Sequence, residues 1–172
     1  FELVSINTTR FDVTKHRATP VISDAKVGFK ELSKALGDWR APNIWFDRAV
    51  KERIEWDSYV DKESGPTNQE LPSYAHAVGA IYRNADPSDI VVTAAGGLVG
   101  EVVQIWKPKQ KNTFETEWGF SCMGYEISGA LGIKMAKPDQ DVIVFIGDGS
   151  YLLANSDIYS SVIYDKKLII VV

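Results

Sequence analysis

Two glycine-bearing stretches carry residue types that could do chemistry together. Ile146-Gly147-Asp148-Gly149-Ser150-Tyr151 follows a continuous apolar run, and Ala94-Ala95-Gly96-Gly97 follows another. Glycines at such points let backbone N–H groups approach an anion closely, and the N-terminus of a following helix adds a favourable dipole. Asp148 among phosphate-seeking amides calls for a reason, because a carboxylate alone repels phosphate. A hard divalent cation supplies one: the carboxylate holds Mg²⁺, and the cation bridges to phosphate oxygens. Ser150 can donate to the same phosphate. A bare Gly-Asp-Gly is also an ordinary turn whose Asp accepts local N–H bonds, and that reading stays open. Gly147-x-Gly149 runs on to Leu152 instead of a third glycine, which excludes a Rossmann fingerprint. A Walker loop needs Gly-Lys-Ser/Thr, which does not occur.

These turns need elements to hold them. Ile90–Thr93 and Asp141–Ile146 are continuous apolar runs, and Leu168–Val172 is a third. Helices are expected over 73–84, from after Met123 to about Ala136, and over roughly 151–164. The first has Ser73 as cap and Tyr74, Ala77, Val78 and Ile81 inward. Strands buried on both faces and alternating with helices predict an α/β fold with a parallel sheet flanked by helices. Ligands bind such a sheet at the carboxyl ends of its strands, where both glycine turns fall.

Ahead of this region, residues 1–37 read as the tail of a middle α/β domain. Strands are expected at Phe1–Ile6 and Val21–Asp24, and Val27, Leu32 and Leu36 form a helical stripe that stops at Gly37. Residues 38–71 read as a linker helix and loop. Asn43 caps a helix over 44–62 with Phe46, Val50, Ile54 and Trp56 on its apolar side, and the linker proper is Glu63–Asn68. Residues 72–172 are then the ligand-binding domain. The chain starts without methionine and stops inside an apolar run, so the sequence predicts a piece of a longer protein, incomplete at both ends.

Composition narrows the classes. The chain has 172 residues, is 45% hydrophobic and 24% charged, and has a net charge of -4. That is an ordinary globular composition. Mild acidity speaks against nucleic acid as a partner, and no run approaches the ~18 apolar residues of a membrane span. The single cysteine, Cys122, rules out an internal disulfide and fits a cytoplasmic protein.

Gly147-Asp148-Gly149-Ser150, followed by a helix and an apolar strand, resembles the signature of thiamine-diphosphate-dependent enzymes such as decarboxylases and acetolactate synthases. Ala95-Gly96-Gly97-Leu98 stands where that family has its other diphosphate loop, and Gly119–Gly124 where it has the segment under the cofactor. The resemblance implies thiamine diphosphate and Mg²⁺ as cofactors, with Asp148 as metal ligand. Ala95, Gly96, Gly97, Gly147, Gly149, Ser150 and Tyr151 would surround the diphosphate. The Ser121 carbonyl would accept a bond from the aminopyrimidine, and Met123 would wedge between the two rings. An Asn metal ligand would fall a few residues beyond Val172.

Other strings narrow the resemblance: Val4–Asn7, Ser64–Gln69, Thr93–Gly97, Trp118–Gly124 and Asn155–Ser161. They are similar to the branch of the family that hydrolyses a C–C bond of a cyclic 1,2-diketone in inositol breakdown. Gly97 and Leu98 replace the polar residues of the acetolactate synthase loop, so phosphate contacts there would come from backbone. The family's proton-transfer glutamate lies on a separate N-terminal domain, usually of a neighbouring subunit. A homo-oligomer is therefore expected, and the 172 residues alone should be inactive. Two alternatives remain: a carboligase or 2-oxoacid decarboxylase on the same cofactor, and a non-catalytic module holding a nucleotide or metal.

The remaining candidates have plainer readings. Cys122 has no evident base beside it and is expected to be buried. Gly119–Met123 lacks the last glycine of a nucleophile elbow, which argues against a serine hydrolase. His76 is expected to be a half-buried structural residue, and His16 a surface one. Glu101, Glu117 and Glu126 are acids near the turns, for which solvated or hydrogen-bonded roles are expected.

Overall fold

The computed structural model describes residues 2–172, so Phe1 lies outside the described residues. The chain divides into two units, with the break between Lys51 and Glu52.

In the first unit, strand β1 (Val4–Asn7) pairs in parallel with β2 (Thr19–Ile22), in register Val4 to Thr19. Between them lie a short helix α1 (Arg10–Val13) and a 3-10 turn, Lys15–Arg17, neither of which the apolar pattern announces. Helix α2 (Ala25–Leu36) begins where the Asp24 carboxylate accepts the Val27 N–H at 3.2 Å. It packs on β1 at Gly28, where a Cβ would sit 2.9 Å from Ile6. It ends at Gly37 in the left-handed region, with φ 54°. Helix α3 (Asn43–Glu63) starts at Asn43 itself. Its expected apolar side is not buried: Phe46, Val50, Ile54 and Trp56 are all exposed, and Val60 alone is buried along it.

The second unit is an open α/β layer. Helix α4 (Tyr74–Asn84) leads to β3 (Ile90–Thr93), α5 (Gly97–Ile105) and β4 (Phe114–Thr116). Then come α6 (Tyr125–Ala136), β5 (Val142–Phe145), α7 (Asp148–Leu153), α8 (Ser156–Ile163) and β6 (Ile169–Val171). The sheet order is β4-β3-β5-β6, all parallel, with Ile90 opposite Val142 and Ile143 opposite Ile169. No helix among the described residues is long and apolar enough to cross a membrane.

Both faces of the central strands are covered, which is why β3 and β5 read as unbroken apolar runs. Val91, Ile143 and Phe145 meet Val60, Val78, Val102, Ile105 and Trp106 on one side. Ile90, Val92, Val142, Val144 and Ile146 meet Ile127 and Ala130 on the other. Each fully buried side chain of this size contributes about 1.5–3 kcal/mol. Trp106 stands edge-on to both Phe145 and Tyr82, with ring centres 5.9 and 5.3 Å apart.

Three local expectations need correction. Tyr74 and Ala77 are exposed, because α4 turns Ala75, Val78, Gly79 and Tyr82 inward. The segment 151–164 is two helices, since α7 ends at Ala154 and α8 starts after Asn155. Helix α5 and strand β4 were not expected as elements.

Candidate functional site

From the centre of the sheet the chain departs in opposite directions. After β3 it passes through α5 to β4 on one edge, and after β5 through α7 and α8 to β6 on the other. Two loops that diverge between adjacent parallel strands leave a crevice at their carboxyl ends, the switch point of an α/β sheet. A cleft of about 490 Å³ lies there, a size that suits a small ligand.

The first wall is the loop after β3. Gly96 has φ +90°, a conformation open to glycine, and Gly97 begins α5. A Cβ at either position would meet no atom within 4 Å, so both face open space. The first N–H groups of α5 have no carbonyl partner within the helix, and Gly97 and Leu98 both line the cleft.

The second wall is the loop after β5. Gly147, Asp148, Gly149 and Ser150 line it, and Ser150 does so although it is only 4% exposed. Asp148 is exposed and opens α7. Its Oδ1 accepts the Gly149 N–H at 2.8 Å, the local bond an ordinary turn would also make. The carboxylate thus combines a turn role with a place on the cleft wall.

The third wall is the loop from β4 to α6. Met123 is half exposed, and its Cε lies where a Cβ on Gly149 would come within 3.4 Å. Ser121 has φ +52°, unusual for a residue with a side chain. Glu117 holds this loop: Oε2 accepts the Cys122 N–H at 2.7 Å and Oε1 the Phe120 N–H at 3.0 Å. Those N–H groups, Cys122 first, keep the Glu117 carboxyl below its usual range.

Eight of the ten residues singled out in the sequence meet at the cleft: Ala95, Gly96, Gly97, Met123, Gly147, Asp148, Gly149 and Ser150. Ser121 and Tyr151 do not line it. Tyr151 instead packs partly buried against the core beneath. Tyr74 and Ile146 line it unforeseen. Tyr74 could have been found from its place at the helix start, beyond the buried stripe. Cys122 is exposed, not buried. Desolvation and the neighbouring Glu117 raise its thiol pKa, which makes it a poor nucleophile. His76 is half-buried, and its Nδ1 accepts the Ser73 N–H at 3.2 Å in a capping box; His16 is exposed. Glu101 is half-buried, and Glu117 and Glu126 have hydrogen-bonded roles.

A parallel α/β layer with a glycine-walled cleft at its switch point is the kind of protein that binds phosphate-bearing ligands. Residues 94–172 match the model of the thiamine pyrophosphate enzyme, C-terminal TPP binding domain. The proteins named 3D-(3,5/4)-trihydroxycyclohexane-1,2-dione hydrolase from Geobacillus thermodenitrificans and Lacticaseibacillus casei are 31% and 32% identical to it. Each alignment covers 99% of this chain and 30% of the relative. The Clostridium tetani protein of the same name is 32% identical over 97% of the chain and 30% of its own length. The chain therefore spans 30% of the length of these relatives.

Proposed function

We propose that this chain forms the diphosphate-binding part of a thiamine-diphosphate- and Mg²⁺-dependent hydrolase that cleaves a C–C bond of a cyclic 1,2-diketone in inositol breakdown. The observation that carries the reading is the pairing, across one switch-point cleft, of two open glycine loops with an exposed carboxylate. The substrate class comes from the names of the relatives.

The residues fit the cofactor. Space beside Gly96, Gly97 and Gly147 is empty of protein atoms within 4 Å of a Cβ. The N-terminus of α5 offers unpaired N–H groups to an anion. Among the described residues no three His, Cys, Asp or Glu side chains form a metal cluster. Asp148 would therefore share its cation with phosphate oxygens and other oxygen donors, as Mg²⁺ commonly does.

When bound, thiamine diphosphate supplies the electron sink that lets a bond beside a carbonyl break. The chain's own part is to bind and orient. Backbone N–H groups at Gly96 and Gly97, with the Ser150 hydroxyl, would take up the diphosphate charge, and Gly149, whose N–H is held by Asp148 Oδ1, would line that space. Met123, on the cleft wall, would bear on the orientation of the rings, whereas Ser121 does not line the cleft. Ile146, Leu98 and Met123 give the cleft an apolar side. No proton-transfer role is assigned within these residues, and a cytoplasmic homo-oligomer would supply the rest of the site.

Thermal shift of the full-length protein tests the reading. Thiamine diphosphate with Mg²⁺ should raise the midpoint, whereas ATP or NAD should not, since only a ligand of the native state stabilises it. Product analysis with the cyclic dione against pyruvate separates hydrolase from carboligase. The 172 residues alone should open no ring even with both cofactors added.

A further inference from the structure

Glu126 stands in the first turn of α6 and is completely buried, and nothing in the proposed chemistry uses it. A buried carboxylate is costly unless both oxygens are bonded. Here Oε1 accepts the Ala95 N–H at 3.2 Å and Oε2 accepts the Gly124 N–H at 2.9 Å. The two donors belong to different walls of the cleft. Ala95 lies in the loop that carries Gly96 and Gly97, and Gly124 directly follows Met123. The second wall, the segment after β5, presses on the same point: Gly124 has φ +92°, and a Cβ there would run into the side chain of Ala154. Ala154 is the residue that ends α7, the helix Asp148 begins. The three loops around the cleft thus meet at one node, and one carboxylate fastens two of them.

We propose that Glu126 is a positioning residue that sets the spacing between the Gly96–Gly97 loop and the Met123 loop, and through it the affinity for the diphosphate-bearing cofactor. The inference rests on the thiamine diphosphate reading above. Two backbone N–H groups on separate loops need two acceptors a fixed distance apart, which a glutamate provides. A glutamine offers one acceptor and one NH₂ group, so one loop N–H would face another donor. An unsatisfied buried donor would push that loop away from its neighbour.

The test compares Glu126→Gln with the wild type in the full-length protein. The dissociation constant for thiamine diphosphate is measured by calorimetry at saturating Mg²⁺, with the thermal midpoint of the cofactor-free protein measured alongside. The variant should bind at least about tenfold more weakly, the range seen when a supporting group behind a binding shell is lost. A lower midpoint with an unchanged dissociation constant would show a carboxylate that only stabilises the fold, and would overturn the proposal. Should the variant not fold, amide hydrogen exchange in the wild type decides. The Ala95 and Gly124 amides should be strongly protected, and exchange at the rate of open loop amides would overturn it. Wild-type protein that binds no thiamine diphosphate would overturn the functional reading, and this inference with it. Equal binding by wild type and variant overturns the role of Glu126 alone.

Discussion

The backbone of Gly79 lies against the backbone of Ser64, so closely that a Cβ on Gly79 would collide with the Ser64 carbonyl oxygen. That carbonyl also accepts a bond from Arg83 Nη1 at 2.6 Å, and the Ser64 hydroxyl donates to the Val60 carbonyl at 2.7 Å. The end of α3 and the middle of α4 are thereby joined through main chain, under the core that Val60 and Val78 share. This contact sets which side of α4 faces inward.

Gly79→Ala should therefore destabilise the protein, against the usual trend. Alanine is favoured over glycine in a helix by about 1 kcal/mol, but overpacking against atoms that cannot yield costs about 1–3 kcal/mol. Backbone cannot swing aside as a side chain can, so the clash should outweigh the propensity gain, for a net loss of up to about 2 kcal/mol. Urea unfolding of the variant would measure it; a midpoint equal to or above wild type would contradict the packing described.

The same contact explains one limit of reading the sequence. A helical apolar count places Tyr74 and Ala77 inward, yet the real inner face is centred on Val78 and Gly79. A glycine adds nothing to an apolar stripe, so its role in close backbone approach is invisible to hydropathy. The central strands were legible because burial on both faces leaves an unbroken apolar run, as in Val142–Phe145. Strand β4, Phe-Glu-Thr at the sheet edge, has no such pattern. Helix α5 was hidden because its glycines looked like loop. The glycine turns pointed to the cleft, since parallel strands must bring their carboxyl ends to one edge. Glu126 was only one acid among three, because its two bonding partners lie on loops whose meeting depends on tertiary packing.

Gly96 and Gly97 should respond differently to alanine. At Gly97 the backbone is helical and a Cβ meets nothing, so stability should stay level or rise by up to about 1 kcal/mol. At Gly96, φ +90° is strained for any side chain, and a loss of about 1 kcal/mol or more is expected. Both methyl groups would enter the space proposed for diphosphate. Both variants should therefore bind thiamine diphosphate about tenfold or more weakly, a change near 1.4 kcal/mol. Calorimetry paired with thermal unfolding separates the two effects. A stable Gly97→Ala with full affinity would remove that loop from the site.

Asp141 governs part of the acid response. Its carboxylate accepts from Lys167 Nζ at 3.0 Å, and Lys134 Nζ is 3.7 Å away. The Lys167 bond first, then the lysine charges, lower its pKa from 3.8. A carboxyl depressed in the folded state stabilises above its unfolded pKa, and that contribution fades as pH falls through the folded value. Wild type should therefore be more stable than Asp141→Asn at pH 7, by less than about 1 kcal/mol, since the pair is largely exposed. The gap should narrow as the pH falls from 3.8 toward the depressed folded value. Urea midpoints at neutral and acid pH check this, and a gap that persists undiminished in acid would assign the effect to something other than charge.

Asp148 offers the sharpest separation of a turn from a cation site. Its Oδ1 bond to the Gly149 N–H needs an acceptor but no charge, so Asp148→Asn preserves the turn while removing the negative charge. Asp148→Ala removes both. The side chain is exposed and makes only this local bond among the described residues, so neither change should shift the thermal midpoint by more than a few degrees. Binding should separate the roles. If the carboxylate holds Mg²⁺, both variants lose the Mg²⁺-dependent part of thiamine diphosphate affinity, because a neutral oxygen holds a hard cation poorly. If it only shapes the turn, the asparagine variant keeps full affinity and the alanine variant alone weakens. Calorimetric titration of full-length protein with and without Mg²⁺ gives the answer, and full Mg²⁺-dependent binding by Asp148→Asn would remove the metal from this carboxylate.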